Sequence, residues 1–245
     1  MSSWSPNKLY NQTRFMASFC GVWMLASEPV DRFLSEGDRR ALRGQISLAA
    51  GEAVELSRGP LWLASSPERM RQGEGHVLAW DGFLPAPGLG APDPADPWEG
   101  HYSLAYADWK NRKLILLRDL SGGEILYYSR CGRAVIFANS MRPLLAWRAS
   151  ERPASGRPSS PERLNSEALA EFMFNGQVLC AGETLFEGIR EVPPGHGLTI
   201  SKGEWRRHEA QLPCLEEDEP RSGPETSPRA LRRLLLEATG VALGG

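Results

Sequence analysis

The sequence contains no apolar run approaching the ~18–20 residues that a helix needs to cross a bilayer. Residues 1–14 have no apolar stretch after a basic start, which a secretory signal peptide would have. Basic residues are not in excess, because the formal net charge is −2. These absences argue against a membrane protein, a secreted protein and a nucleic-acid-binding protein, so we expect neither membrane nor nucleic acid among the partners.

Cysteine is scarce and scattered. The four cysteines are Cys20, Cys131, Cys180 and Cys214, and no two of them form a Cys-x-x-Cys pair. A disulfide framework or a zinc site is therefore not expected, and the pattern fits a reducing cytoplasm. Three histidines, His101, His196 and His208, fall on predicted turns or strand edges without a Cys or Glu partner, so we predict no metal site.

The composition is that of a folded globular protein, with 41% hydrophobic and 24% charged residues. Short apolar runs separated by polar turns predict β-strands and hairpins. The predicted strands and hairpins are 19–25, 76–80, 102–109 with 113–119, 125–129 with 134–138 around a Cys131-Gly132 turn, and 198–200 with 204–206. Helices are predicted at 28–42, from a cap at Asn139 or Ser140 through Trp147, and at 166–174, where Asn165 or Ser166 is the cap.

Composition also divides the chain into segments. We predict a polar tail at 1–18, a main domain at 19–212, an acidic linker at 213–227 and the start of a further domain at 228–245. The last segment begins with an amphipathic helix. Within the main domain, residues 149–163 are rich in Pro, Ser and Arg and are predicted to form a surface loop.

Several motifs follow one another along the chain from Cys20 to His196. They are Cys20-Gly21, His76-Val-Leu-Ala-Trp-Asp81-Gly82-Phe83, the stretch from Gly100 to Tyr128 with Arg118-Asp119, Val135-Ile-Phe-Ala-Asn-Ser-Met-Arg-Pro-Leu-Leu-Ala146, Thr184-Leu-Phe-Glu-Gly-Ile-Arg190 and Val192-Pro-Pro-Gly-His196. Together these motifs resemble the N-terminal glutaminase domain of asparagine synthetases. The resemblance is ordered and continuous from about Gly75 to Glu209.

The resemblance implies an α+β fold, the four-layer αββα sandwich of N-terminal-nucleophile hydrolases. The alternation of hairpins and helices agrees with it. The C-terminal segment is expected to be the first helix of a truncated α/β synthetase domain. Gly240-Val-Ala-Leu-Gly-Gly245 resembles the start of the family's pyrophosphate loop, but Leu243 stands where a serine is expected. We therefore expect no cofactor in this chain, and ATP and Mg only for the missing synthetase half.

A glutaminase of this type needs a thiolate, an amine to shuttle the proton and donors for the oxyanion. The resemblance makes Cys20 the candidate nucleophile, provided that the residues before it are removed. The alternative is that Cys20 is a small buried hydrophobe on the first strand.

The substrate-binding positions implied by the resemblance are Asp81 and Gly82. Asp81 replaces the family's asparagine, and an ionised carboxylate there accepts hydrogen bonds where the family has a donor. No arginine stands in register at 61–66, and Arg58 or Arg69 is the alternative residue for binding the substrate carboxylate. The family's amine-binding acid falls in a Pro-rich loop at 85–97, where Asp93 or Asp96 is available.

Three interpretations remain open. The first is a front domain of an asparagine-synthetase-like ligase with an eroded glutamine site, as in β-lactam synthetases and lasso-peptide cyclases. The second is an active amidotransferase that releases ammonia from glutamine through Cys20 after N-terminal processing. The third is a non-enzymatic module that docks onto a separately encoded adenylating synthetase. The implied partners are glutamine and an adenylating synthetase domain or subunit.

Overall fold

The computed structural model describes residues 18–46, 53–84, 90–95, 98–150, 163–210, 232, 233 and 236. Its strands are β1 Phe19–Met24, β2 Val54–Arg58, β3 Leu61–Ser65, β4 Met70–Gln72, β5 His76–Phe83, β6 His101–Asp108, β7 Lys113–Arg118, β8 Tyr127–Cys131, β9 Ala134–Ala138, β10 Ile189–Glu191, β11 His196–Ser201 and β12 Glu204–Glu209. The helices are α1 Glu36–Arg43, α2 Met141–Ser150 and α3 Ser166–Asn175.

The strands form two six-stranded sheets in which the paired strands are antiparallel. Sheet 1 has the order β10-β8-β9-β1-β3-β2, and sheet 2 has the order β12-β11-β7-β6-β5-β4. The predicted hairpins correspond to β6–β7, β8–β9 and β11–β12. Because Cys131 belongs to β8, the second turn falls one residue later than predicted, at Gly132, whose φ of 56° suits a residue without a Cβ.

Three apolar cores define the layers. The first contains Phe19 and Trp23 of sheet 1 together with Val77 and Leu114 of sheet 2, so it lies between the sheets. The second lies on the other face of sheet 1, beneath α1 and α2, and the third covers the other face of sheet 2. The described residues thus show a helical layer and two sheets, and α1 and α2 lie over sheet 1.

The single helix predicted at 28–42 is wrong. A one-turn 3₁₀ helix spans Val30–Arg32, and α1 begins only at Glu36. Ser35 starts α1 because its side chain accepts from the Asp38 backbone N–H while the Asp38 carboxylate accepts from the Ser35 N–H. Apolar spacing alone cannot detect this break, since Val30 and Leu42 are buried all the same.

The other helix predictions fare better. Asn165 caps α3 by accepting from the N–H groups of Glu167 and Ala168, and Gly176 ends it at a φ of 73°. Helix α2 continues through Ser150, so the predicted loop at 149–163 begins later than expected. Residues 151–162 and the tail at 1–17 lie outside the described residues.

Residues 211–245 form a second unit. Of this unit the structure describes 232, 233 and 236, which are helical. The predicted acidic linker and the remainder of the predicted 228–245 segment lie outside the described residues. No helix in the described part of the chain is long and apolar enough to span a membrane.

Candidate functional site

Cys20 lies on the face of sheet 1 that the helices cover. Successive side chains of a strand point to opposite faces, so Phe19 faces sheet 2 whereas Cys20 and Val22 face α1 and α2. Cys20 is fully buried, and its thiol donates to the Leu42 carbonyl at 3.8 Å. Burial raises the pKa of the Cys20 thiol, and the nearby Glu55 carboxylate raises it further. This setting favours the inert, hydrophobic role over the nucleophilic one.

Gly21, the partner of Cys20 in the sequence motif, has a packing role. A Cβ built at Gly21 would lie 2.3 Å from Cζ of Phe137, its cross-strand neighbour on β9. The Phe137 ring is 1% exposed and packs in the core between the sheets. The glycine is therefore required by the close approach of a buried ring.

Asp81 faces the space between the sheets. It shares a face of β5 with the core residues Val77 and Ala79, and its carboxylate Oδ2 accepts a hydrogen bond from Asn139 Nδ2 at 2.6 Å. Cys20 and Asp81 are therefore on opposite sides of sheet 1. The structure does not bring together the two residues that the resemblance implies should act on one substrate.

Gly82 adopts a φ of 84°, and a Cβ there would lie 2.1 Å from the His101 carbonyl oxygen. Its own carbonyl accepts a hydrogen bond from the Arg69 guanidinium. Arg69 is thus next to the candidate site and bonded to its backbone. Arg58, the other candidate for gripping a substrate carboxylate, extends from the exposed end of β2, where it donates to the Ser57 carbonyl.

Asn139 is a residue whose role in the site the sequence reasoning missed. It was predicted as a possible cap of α2, but its Oδ1 accepts from the backbone N–H groups of Ser18 at 2.8 Å and Phe19 at 3.2 Å. Ser140, the alternative cap, accepts from the Arg142 N–H. Asn139 thereby links the start of β1 in sheet 1 to Asp81 in sheet 2. The adjacency of Ala138 and Asn139 to the start of β1 is a consequence of sheet order, which no local motif encodes.

A polar row crosses sheet 2 beside Asp81. Ser103 of β6 lies directly opposite Asp81, and Arg118 of β7 lies directly opposite Ser103. Alternation places all three on the face toward sheet 1, because their strand neighbours Ala79, Ala105 and Leu116 belong to the core between the sheets.

Arg118 is buried and its nitrogens are engaged. Nε donates to the Glu124 carbonyl at 2.6 Å and Nη2 to the Gly122 carbonyl at 2.7 Å, while Nη1 donates to the Glu191 carboxylate and the Val192 carbonyl. Asp119 accepts separately from Ser121 and Gly122. Both residues thus organise the turn after β7.

Asp93 is placed away from Asp81. It accepts from the Ala95 N–H and lines a cavity with Lys113 and His208, toward the β12 edge of sheet 2, whereas Asp81 lies on β5 near the other edge. Asp96, the other candidate for amine binding, lies outside the described residues. The amine-binding acid implied by the resemblance is therefore not assembled at Asp81 by Asp93.

The three histidines considered above occupy separate places. His101 Nδ1 lies 2.8 Å from Ser121 Oγ, and His196 Nδ1 lies 2.8 Å from the Pro194 carbonyl. Burial, followed by the positive charge of Arg206, lowers the pKa of His208. Among the described residues, no group of three or more His, Cys, Asp or Glu side chains is arranged to hold a metal ion.

The chain is similar to known glutamine amidotransferases over part of its length. The family described as "Glutamine amidotransferase domain" matches residues 89–210. Asparagine synthetase [glutamine-hydrolyzing] 3 of Bacillus subtilis (strain 168) is 28% identical over 110 residues, which are 45% of this chain and 16% of that protein.

Two solved structures are similar at 12% identity and a TM-score of 0.37. One is glutamine phosphoribosylpyrophosphate amidotransferase from B. subtilis, complexed with ADP and GMP, and the other is described as the allosteric regulatory enzyme of purine biosynthesis. The matches cover 82% of this chain and 45% and 44% of those chains. The matched region thus spans a sixth of the curated relative and less than half of each of these two structures.

Proposed function

We propose that this chain, which contains an asparagine synthetase-like glutamine amidotransferase domain, is the front domain of an ATP-consuming, amide-forming ligase and that its own glutamine site is eroded. ATP and Mg would bind to the synthetase part of such a ligase and not to this chain. The domain would support an adenylating synthetase domain or subunit without supplying ammonia from glutamine.

The placement of Cys20 carries this proposal. A nucleophilic thiol must reach the substrate as a thiolate, but Cys20 is 0% exposed and faces the helices. Both burial and the Glu55 carboxylate raise its pKa, so the thiol form is favoured. In a glutaminase the thiolate and the oxyanion donor must reach the same substrate, but here Cys20 and Asp81 lie on opposite sides of sheet 1.

Asp81 supports the same conclusion. The tetrahedral intermediate of amide hydrolysis carries an oxyanion, which needs hydrogen-bond donors. The Asp81 carboxylate is an acceptor and repels a developing negative charge. Asn139 offers an amide donor nearby, but that amide already donates to Asp81. Cys20, Asp81 and Gly82 are thus site positions by resemblance, with contacts that suit packing more than glutamine hydrolysis.

We also propose that the domain has the four-layer architecture and that the helical residues 232, 233 and 236 belong to the first helix of a synthetase domain. The helical layer and two sheets supply three layers. Support for a fourth comes from the far face of sheet 2, where Leu78, Leu104 and Ile115 are all 0% exposed.

An exposed apolar surface on α3 supports a protein partner. Phe174 is 89% exposed, Met173 76% and Leu179, in the loop after α3, 57%. Clustered apolar side chains of this size are costly in water and mark interaction surfaces. We propose that the adenylating synthetase covers this surface. The Cys20 and Cys180 thiols are free, which supports the cytoplasm as the proposed location.

The second candidate function is glutamine hydrolysis through Cys20, favoured by the position of Cys20-Gly21 at the start of the central strand β1. A glutaminase assay separates the two. The full chain, a version beginning at Cys20 and its Asp81→Asn variant are incubated with glutamine, and glutamate is measured. We expect no glutamate above the background in any of them. Glutamate release that Cys20→Ala abolishes would refute the eroded site and establish the amidotransferase.

A further inference from the structure

Ser103 is a buried polar side chain without a protein partner. It is 0% exposed, and within the described part of the chain its Oγ meets no hydrogen-bond donor or acceptor. A buried hydroxyl left unpaired is unfavourable, so such a group calls for an explanation by a ligand or a water molecule. Alternation aims Ser103 into the space between the sheets, on the same face as Asp81 directly opposite.

Asp81 supplies negative charge to the same place. Asn139 Nδ2 donates to one of its carboxylate oxygens, Oδ2, and two neighbouring arginines bond to other groups. Arg118 forms an ion pair with Glu191, and Arg69 donates to the Gly82 carbonyl. Asp81 is half-buried, so a solute can reach it from solvent. Asp81 and Ser103 therefore combine a carboxylate with an unpaired hydroxyl.

The neighbouring pair on this face is small and apolar. Ala79 and Ala105 lie directly opposite one another, adjacent to Asp81 and Ser103 along their strands, and are 0% and 2% exposed. They offer no hydrogen bond that competes for a ligand at Asp81 and Ser103. A ligand held here must itself donate hydrogen bonds and carry positive charge, and it must be small.

We infer that Asp81 and Ser103 form a binding site for a small protonated amine, of which the ammonium ion is the smallest member. The N–H groups donate to the Asp81 carboxylate and to Ser103 Oγ, which pairs the buried hydroxyl. A divalent metal is not favoured, because Mg²⁺ and Ca²⁺ take six or more oxygen ligands and the site offers a single carboxylate. The site lies between the sheets, away from Cys20, and its binding step does not rest on the proposed function.

The site predicts a selective stabilisation. The melting temperature of the full chain is measured in ammonium, potassium, sodium and tetramethylammonium chloride at equal ionic strength. We expect a saturable rise with ammonium alone, because tetramethylammonium has no N–H to donate and the metal cations cannot donate either. Equal effects of all four salts would overturn the inference, as would a larger effect of potassium.

Two variants locate the effect. Asp81→Asn is nearly isosteric and removes the charge, and we expect the apparent affinity for ammonium to fall at least about tenfold. Ser103→Ala removes the unpaired hydroxyl, so it should raise the melting temperature without ammonium and reduce the gain with it. Glu74→Gln, a change at a fully exposed acid, is the control and should respond as the unmodified chain does.

The inference can be overturned whether or not these variants fold. If Asp81→Asn folds, as shown by its circular dichroism, and keeps the full ammonium response, Asp81 is not the site. A Ser103→Ala protein with the same ammonium response would remove Ser103 from it. If a variant does not fold, line broadening of ¹⁵N-ammonium by the unmodified chain, compared with the same solution without protein, decides whether ammonium binds at all. Absence of broadening and of a thermal shift overturns the site.

Discussion

Asn139 joins the two sheets through one side chain. Its amide nitrogen lies 2.6 Å from the Asp81 carboxylate of sheet 2, and its amide oxygen accepts the Ser18 N–H at the start of β1 in sheet 1. The Asn139 side chain therefore ties the Asp81 carboxylate to the backbone at the start of β1.

Removing the bridge should weaken the sandwich. Asn139→Ala leaves the Asp81 carboxylate and the Ser18 N–H without this partner, and we expect it to reduce the free energy of unfolding by about 1–3 kcal/mol. Urea denaturation followed by tryptophan fluorescence measures the change. Asn111→Ala is the matched control, because Asn111 is exposed and its described hydrogen bonds are local, to Asp108 at the end of β6. Equal losses in the two variants would show that Asn139 does not couple the sheets.

Gly21 should tolerate no added methyl group. In Gly21→Ala the new Cβ meets the buried Phe137 ring at 2.3 Å, so β1 or the ring must shift. Overpacking of this kind costs about 1–3 kcal/mol. Gly90→Ala, where nothing lies within 4 Å of the added Cβ, should be nearly neutral. The two melting temperatures test this directly, and an unchanged value for Gly21→Ala would contradict the close packing of β1 on β9.

Cysteine reactivity should follow exposure. Iodoacetamide is expected to alkylate the exposed Cys180 in the native protein, while Cys20 and Cys131 react only after denaturation. Peptide mapping by mass spectrometry after a short reaction at neutral pH identifies the modified residues. Cys180 serves as the internal control for reagent quality. Native alkylation of Cys20 at a rate near that of Cys180 would mean that Cys20 is accessible.

Two buried tyrosines should make the stability of the fold fall at alkaline pH. Burial first, and then the Glu191 carboxylate, raises the pKa of Tyr127 to about 12, while burial and Asp119 raise that of Tyr102 to about 12. The unfolded value is about 10, so the folded state favours the neutral phenol. The resulting stabilisation is complete below about pH 10 and is lost as the pH rises toward 12.

Absorbance at 295 nm measures this titration. We expect phenolate from Tyr102 and Tyr127 to appear late and together with loss of the folded circular dichroism signal. Tyr127→Phe removes one of the two, so its alkaline transition should release less phenolate. Full ionisation near pH 10 in a protein that remains folded would contradict the burial of these hydroxyl groups.

Local patterns predicted much of the fold, because hairpins and caps depend on neighbouring residues. Strands β6 and β7 follow from the alternation of apolar and polar residues. The Asn165 cap follows from side-chain chemistry within a few positions. The break before α1 was not predicted, because the apolar spacing continues across the capping pair Ser35 and Asp38 that interrupts the helix. The edge strands β2, β4 and β10 were also missed, because three to five residues give little periodicity.

The site was harder to predict than the fold. The strand predicted at 76–80 continues in the structure through Asp81 and Gly82 to Phe83. The face that Cys20 occupies depends on strand parity relative to the helices. Asn139 and Ser103 reach Asp81 through sheet order and register, which connect residues far apart in sequence. Arg69 reaches Gly82 for the same reason. Residue type alone carries no signal for such contacts.

The central claim is that Cys20 is a packing residue and that this domain does not hydrolyse glutamine. The most direct measurement is the intact mass of a chain that begins at Cys20 after exposure to a chloroketone analogue of glutamine, with Cys180 and Cys214 replaced by serine and with an excess of glutamine as competitor. The account predicts an unmodified mass. A single addition at Cys20 that glutamine suppresses would contradict it.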